Sequence, residues 1–220
     1  MDLRELSPVK SPATAGPAGS EARGDYRQPE GGYRFSADSL ALAHFAPLEL
    51  AGRVADLGAG CGIVGLEAIL AGRFGGFFEL YLIEAEEIYG EAHRENVRLF
   101  GQEKADRIKI VLGDWRHLSA EALGGTFDYL IVNPPYYPLA SSGQIKAGRG
   151  QGRHQTRGDL RDLFKAAKRL LKESGRLGLS WPRARLSDLV KAGESQEFTM
   201  LRLSWPPRPG LTLVLAEFRS

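Results

Sequence analysis

A chain of 220 residues, 43% apolar and 25% charged, has the size and composition of a single ordinary globular domain. A formal net charge of +2 excludes a global polycation, so contact with nucleic acid would have to come from a local basic patch. One cysteine, Cys61, excludes a disulfide framework and a thiolate zinc cluster, and no apolar run approaches the roughly 18 to 20 residues that span a bilayer.

The residues after Met1, with Asp2, Arg4 and Glu5, lack the apolar stretch of a signal peptide, which makes the cytoplasm the expected location. Residues 1–30 are rich in Pro, Ala, Gly and Ser. They offer too little large apolar surface to offset chain entropy, and a disordered extension is expected there, with the packed domain over 31–220.

From Tyr33 onward, strand and helix signals alternate. Asp38 to about Ala46 reads as a helix, RVADLG (53–58) as a strand, and Gly62 to Ala71 as a helix. FFELYLI (77–83) is a strand, Ile88 to Phe100 a helix, and RIKIVL (107–112) and FDYLIV (127–132) are strands. Leu160 to Lys172 has helical apolar spacing, RLGLSW (176–181) is a strand, and a helix runs from about Arg183 to Ala192. FTMLRLSW and LTLVLAEF close the series as two strands a short turn apart. Such alternation implies parallel βαβ units with right-handed crossovers, and the last two strands form an antiparallel hairpin.

The first strand runs into Asp56-Leu57-Gly58-Ala59-Gly60-Cys61-Gly62, just before a helix. Closely spaced glycines permit a tight turn and a close ligand approach, and a helix start leaves free N–H groups. Gly60, Gly62 and Gly65 also satisfy the G-x-G-x-x-G of nicotinamide enzymes. Asp56 separates the two readings, because a carboxylate there repels a pyrophosphate and suits a cationic cofactor such as S-adenosylmethionine. Glu84 ends the second strand, where an acid can bind ribose hydroxyls or be a plain strand-end acid. Asp114 can accept the adenine amino group of the cofactor or cap a following helix.

The sharpest signal is Asn133-Pro134-Pro135-Tyr136 at the end of the fourth strand. The prolines stiffen the turn and keep Asn133 extended. The Asn133 side-chain oxygen and the Pro134 carbonyl make two acceptors for a planar NH2 group. Holding both hydrogens pyramidalises the nitrogen and aims its lone pair at a sulfonium methyl. Tyr136 offers a face on which an extruded base can stack. No general base is demanded, since the amine becomes strongly acidic as it gains the methyl. No metal is expected: His44, His93, His117 and His154 are scattered without ligand spacing.

On these motifs the chain resembles class I methyltransferases of the N-P-P-Y amino-methylating group. More narrowly it is similar to bacterial tRNA(Val) adenine-N6 methyltransferases, through Gly32-Tyr33-Arg34-Phe35-Ser36-Ala37-Asp38-Ser39, DLGAGCG, NPPYY and Arg153-His154. The resemblance implies a Rossmann-like α/β fold with a mostly parallel seven-stranded sheet and a C-terminal antiparallel hairpin. It implies S-adenosylmethionine as cofactor, S-adenosylhomocysteine as product, and RNA as partner. Cofactor contacts fall on Asp56, Gly58, Gly60, Gly62, Glu84, Asp114 and Asn133, and catalysis on Asn133, Pro134 and Tyr136. Tyr33 and Arg34 are implied to fold over the pocket, or else to latch the first strand. Gln155 departs from the pattern, which has an acid there, and the first 30 residues have no counterpart.

A Gly-rich basic loop follows the NPPY turn. Arg149, Arg153 and Arg157 on it suit phosphate contacts in RNA, and His154 fits either stacking on an RNA base or capping the following helix. Arg161, Lys165, Lys168 and Arg169 lie on the next helix and fit either RNA or a solvated face. Competing readings are a protein glutamine methyltransferase, a guanine-N2 or DNA-adenine methyltransferase, a silent RNA-binding module, and a nicotinamide oxidoreductase. The glutamine enzymes carry a helical domain before the catalytic one, and no such sequence precedes Tyr33.

Overall fold

The computed structural model describes residues 25–134, 159–206 and 212–220. Tyr136, Arg149, Arg153, His154 and Arg157 lie outside the described residues. The elements in chain order are α1 (Ala37–Phe45), β1 (Leu50–Leu57), α2 (Ile63–Leu70), β2 (Phe74–Glu84), α3 (Gly90–Val97), α4 (Gln102–Ala105), β3 (Ile108–Leu112), β4 (Phe127–Val132), α5 (Leu160–Leu170), β5 (Leu171–Pro182), α6 (Leu186–Glu194), β6 (Thr199–Ser204) and β7 (Leu213–Arg219).

The strands form one seven-stranded sheet in the order β3-β2-β1-β4-β5-β7-β6. Strands β1 to β5 run parallel. β7 is antiparallel to β5, and β6 is antiparallel to β7. This is the expected mostly parallel sheet with a C-terminal hairpin, and β7 rather than β6 docks beside β5.

Alternation along β4 explains the layers. Leu130 and Val132 enter one buried cluster with Leu163, Phe164 and Leu170 of α5, and Phe127 joins it across the irregular pairing before Tyr129. Tyr129 and Ile131 enter the other, with Leu42 and Phe45 of α1 and Leu66 of α2. A strand buried on both faces reads as an apolar run, as FDYLIV does. α5 starts on a capping box: Asp162 N–H donates to Asp159 Oδ1 at 2.9 Å, and Asp159 N–H donates to Asp162 Oδ2 at 3.3 Å.

Several boundaries differ from the sequence reading. β1 and β2 each begin three residues early, because Leu50 pairs with Phe74 ahead of the apolar runs. α5 ends at Leu170 rather than Lys172, since Leu171 already pairs with Phe127 in the sheet. The third helix opens with a 3-10 turn, Glu87–Tyr89, and the short α4 had no sequence counterpart.

The packed chain also begins earlier than residue 31. Tyr26 is 9% exposed, and its hydroxyl donates to Glu67 Oε2 at 3.1 Å. Arg27 N–H donates to Asn96 Oδ1 at 2.7 Å, and Asn96 Nδ2 returns a bond to the Arg27 carbonyl. One large aromatic ring and a two-way amide clamp hold residues that composition alone assigns to the extension. Among the described residues no helix is long and apolar enough to cross a membrane.

Candidate active site

Sheet register lines up the motifs. Leu57 pairs with both Ile83 and Val132, and Val132 pairs with Leu179. The residues one step further therefore make a row along the C-terminal edge of the parallel strands: Glu84, Gly58, Asn133 and Ser180. Glu84 and Asn133 flank β1, about 10 Å apart by two strand spacings.

The glycine turn folds as its composition requires. Gly58, Gly60 and Gly62 have φ of 70°, 57° and 84°, a left-handed region that a side chain adopts only under strain. A Cβ at Gly62 would press on Leu82 and Leu66 at 3.0 and 3.2 Å, whereas one at Gly60 would meet nothing within 4 Å. Gly62 is thus needed for helix packing, and Gly60 opens onto free space. Gly58 faces Trp115, whose Nε1 lies 3.8 Å from where its Cβ would be. Gly58 and Ala59 N–H groups both donate to the Ile83 carbonyl, which fixes the turn against β2.

The acids around this turn are unusually dry. Asp56 is 1% exposed, and its Oδ2 accepts from the Gly65 N–H at 2.9 Å in the first turn of α2. Burial pushes its carboxyl up to about 7, with the charge of Glu84 adding to the rise. Glu84 Oε2 accepts from Gly60 N–H at 2.8 Å, and Oε1 accepts from the Ala85 and Glu86 N–H groups. Burial raises Glu84 against those bonds, and burial followed by the Glu84 charge pushes Glu86 up to about 7. Carboxyls held so poorly as anions suit a cation placed among them, and they resist a pyrophosphate. These residues fit a sulfonium- and ammonium-bearing cofactor.

Asp114 is engaged differently from the expectation. Arg116 grips both its oxygens through Nε and a terminal nitrogen, and also donates its backbone N–H. That guanidinium bond holds the Asp114 carboxyl below the usual carboxylate range. Asp114 sits in a turn after β3, so its acceptor capacity is shared with Arg116 before any ligand arrives.

Asn133 and Pro134 stand at the end of β4. Asn133 Nδ2 donates to Ser39 Oγ at 3.1 Å, and the Ser180 hydroxyl donates to Asn133 Oδ1 at 2.7 Å. Sequence reasoning missed both serines as partners, although a serine inside the apolar alternation of RLGLSW is a signal of a buried polar contact. His93 and Asn96 were missed as well. His93 is 2% exposed, hydrogen-bonds the Gly60 backbone, and is pushed down to about 4 by burial. Asn96 Nδ2 donates to the Cys61 carbonyl at 2.8 Å.

The segment before α1 passes beside the acidic end of β2. Tyr33 N–H donates to the Tyr89 hydroxyl at 2.7 Å, and Arg34 is exposed. Two helix cations have structural work: Arg169 donates to the Trp115, Arg116 and Leu118 carbonyls, and Lys168 pairs with Glu197. Among the described residues, no group of three His, Cys, Asp or Glu side chains could hold a metal ion.

A family model described as methyltransferase small domain matches residues 35–187. The chain belongs to the methyltransferase small domain family. A curated tRNA1(Val) (adenine(37)-N6)-methyltransferase of Shewanella sp. (strain W3-18-1) is 32% identical over 152 residues, 69% of this chain and 61% of that protein. The chain thus spans about 61% of the length of this relative. An Agrobacterium tumefaciens protein described as a predicted O-methyltransferase superposes with a TM-score of 0.60 at 25% identity, over 83% of this chain and 80% of that one. The glycopeptide N-methyltransferase MtfA, solved with S-adenosyl-L-methionine, shares the fold at a TM-score of 0.56 and 16% identity, over 87% and 98% of the two chains. In this methyltransferase small domain the glycine turn, the two dry acids and Asn133 occupy one edge of one sheet.

Proposed function

We propose that the protein transfers a methyl group from S-adenosylmethionine to the exocyclic N6 amine of an adenine in RNA, in tRNA beside the anticodon. The observation that carries this reading is the single row of Glu84, Gly58 and Asn133 along the sheet edge, which puts an amide acceptor beside an acid-lined glycine cradle. Asp56 and Glu84 bind and orient the cationic cofactor, and the open side of Gly60 admits it. The bound cofactor supplies a methyl on a positively charged sulfur. Asn133 Oδ1 and the Pro134 carbonyl accept the two hydrogens of the target amine and turn its lone pair toward that methyl. These bonds strengthen as the nitrogen gains positive charge, so they favour the transition state over the ground state. The base is taken out of its stack, with Tyr136 as its platform. Arg149, Arg153, His154 and Arg157 supply the RNA contacts, with Tyr33 and Arg34 beside the pocket.

The name of the Shewanella relative supports the choice of tRNA and of N6. The reading locates the work in the cytoplasm. The test is incubation with labelled S-adenosylmethionine and total tRNA, followed by digestion to nucleosides. Label in N6-methyladenosine is the expected outcome. Label in N2-methylguanosine would replace the target, and label in protein alone would overturn the RNA assignment.

A further inference from the structure

Asparagine is a soft catalytic group. Its terminal torsion has a broad, roughly two-fold preference, so an unrestrained carboxamide swings through orientations that cannot meet an incoming amine in plane. In this protein both ends of that carboxamide are held. Ser39, on α1, is 2% exposed and accepts from Asn133 Nδ2; Ser180, on β5, is 0% exposed and donates to Asn133 Oδ1. One grip comes from the helix layer and the other from the neighbouring strand.

Ser180 is 0% exposed on the strand face opposite its apolar neighbours, in a stretch of β5 buried on both faces. Leu177, Leu179 and Trp181 are each 4% exposed or less and belong to the core. A hydroxyl there costs free energy unless it is bonded, and it donates to Asn133. Ser39 is likewise a polar residue on a helix face that otherwise buries Leu40, Leu42, Ala43 and Phe45. Two buried hydroxyls, 94 and 47 residues from Asn133 in sequence, converge on one side chain.

We propose that Ser39 and Ser180 are positioning residues that lock the plane of the Asn133 carboxamide for methyl transfer. This rests on the reading of Asn133 as an acceptor for the target amine. A carboxamide oxygen has two lone pairs, so accepting from Ser180 is compatible with accepting one hydrogen from a substrate. Preorganisation of this kind removes the cost of ordering the group at the moment of reaction.

The test uses the full chain and two readouts. The first is the single-turnover rate with labelled S-adenosylmethionine and total tRNA, for Ser39→Ala and Ser180→Ala, each alone and combined with Asn133→Ala. Each serine variant is expected to be on the order of 10-fold slower, with unchanged S-adenosylmethionine affinity. In the Asn133→Ala background the same serine changes should cost nothing further, because they act through that side chain. The second readout needs no turnover. The Asn133 side-chain NH2 resonance, identified by its loss in Asn133→Ala, should shift and broaden in both serine variants. A serine effect of equal size in both backgrounds, or an unmoved resonance, overturns the proposal. A slow Asn133→Ala with undiminished serine variants overturns it alone, whereas an undiminished Asn133→Ala overturns the acceptor reading as well. A wild-type chain that methylates no tRNA overturns the substrate assignment and leaves the resonance to decide on the serines.

Discussion

Asp56 and His93 support the same glycine turn and titrate in opposite senses. Burial lifts Asp56 from 3.8 to about 7, so between these values the folded chain holds a proton that the unfolded chain releases. The stability tied to it is present at low pH and is lost as pH rises through about 7. Burial lowers His93 from 6.5 to about 4, so the unfolded chain takes up a proton that the folded chain refuses. That contribution is present above 6.5 and is lost as pH falls toward 4. The two oppose each other between pH 4 and 6.5. Asp56→Asn, which keeps an acceptor for the Gly65 N–H, should remove one opposing group and leave the histidine set against the raised Glu84 and Glu86 only. Its urea midpoint is expected to climb with pH over that window more steeply than the wild type's; equal slopes would show that Asp56 does not titrate there. S-adenosylmethionine affinity should rise with pH toward 7 as Asp56 loses its proton, which calorimetry across buffers reads directly. At Asn133 the expected loss is kinetic: Asn133→Ala should lower the single-turnover rate on the order of 10²- to 10³-fold. Asn133→Asp, which keeps an acceptor oxygen, should retain more activity than alanine, and neither should much affect cofactor binding.

Among the elements, α3 has a larger role than its eight residues suggest. Its Asn96 bonds the backbone of Arg27 in both directions and the Cys61 carbonyl inside the glycine turn. Asn96→Ala should cost about 2 kcal/mol of stability, the usual range for losing buried bonds with partners left unpaired. It should also weaken S-adenosylmethionine binding; a urea titration and calorimetry separate the two effects, and an unchanged affinity would show that the clamp is independent of the turn. None of this was legible in the sequence, because residues 25–30 carry one aromatic ring among small and polar residues. Periodicity did locate every strand of the sheet, and β4 was read to the residue, since a strand buried on both faces has sharp apolar limits. β1 and β2 were cut short because Leu50 and Phe74 pair across an irregular stretch that breaks the pattern. At the site, the glycines and Asn133 were legible since local backbone chemistry marks them. The serines that hold Asn133 come from distant segments, and no local pattern joins them.

For the whole molecule, a net charge of +2 means that the proposed RNA binding would rest on a few placed cations. Arg169 and Lys168 are committed to carbonyls and to Glu197, which shifts that burden toward the loop before α5. Replacing Arg149, Arg153 and Arg157 with glutamine should weaken tRNA binding and flatten its dependence on salt, by about one unit of slope for every phosphate that an arginine had neutralised. Cofactor affinity should hardly move, and an unchanged salt slope would remove these arginines from the interface. The strand order has a further consequence, for how the chain assembles as it is made. β6 leaves the ribosome before β7, yet its hydrogen-bonding neighbour in the sheet is β7, which also covers the flank of β5. Until residues 213–219 arrive, β5 keeps a bare edge beside buried apolar side chains and β6 waits without a ladder. Such an edge is a template for pairing with another chain. Nascent chains stalled before Leu213 should therefore be the aggregation-prone species, and the antiparallel half of the sheet can close only once β7 has been made.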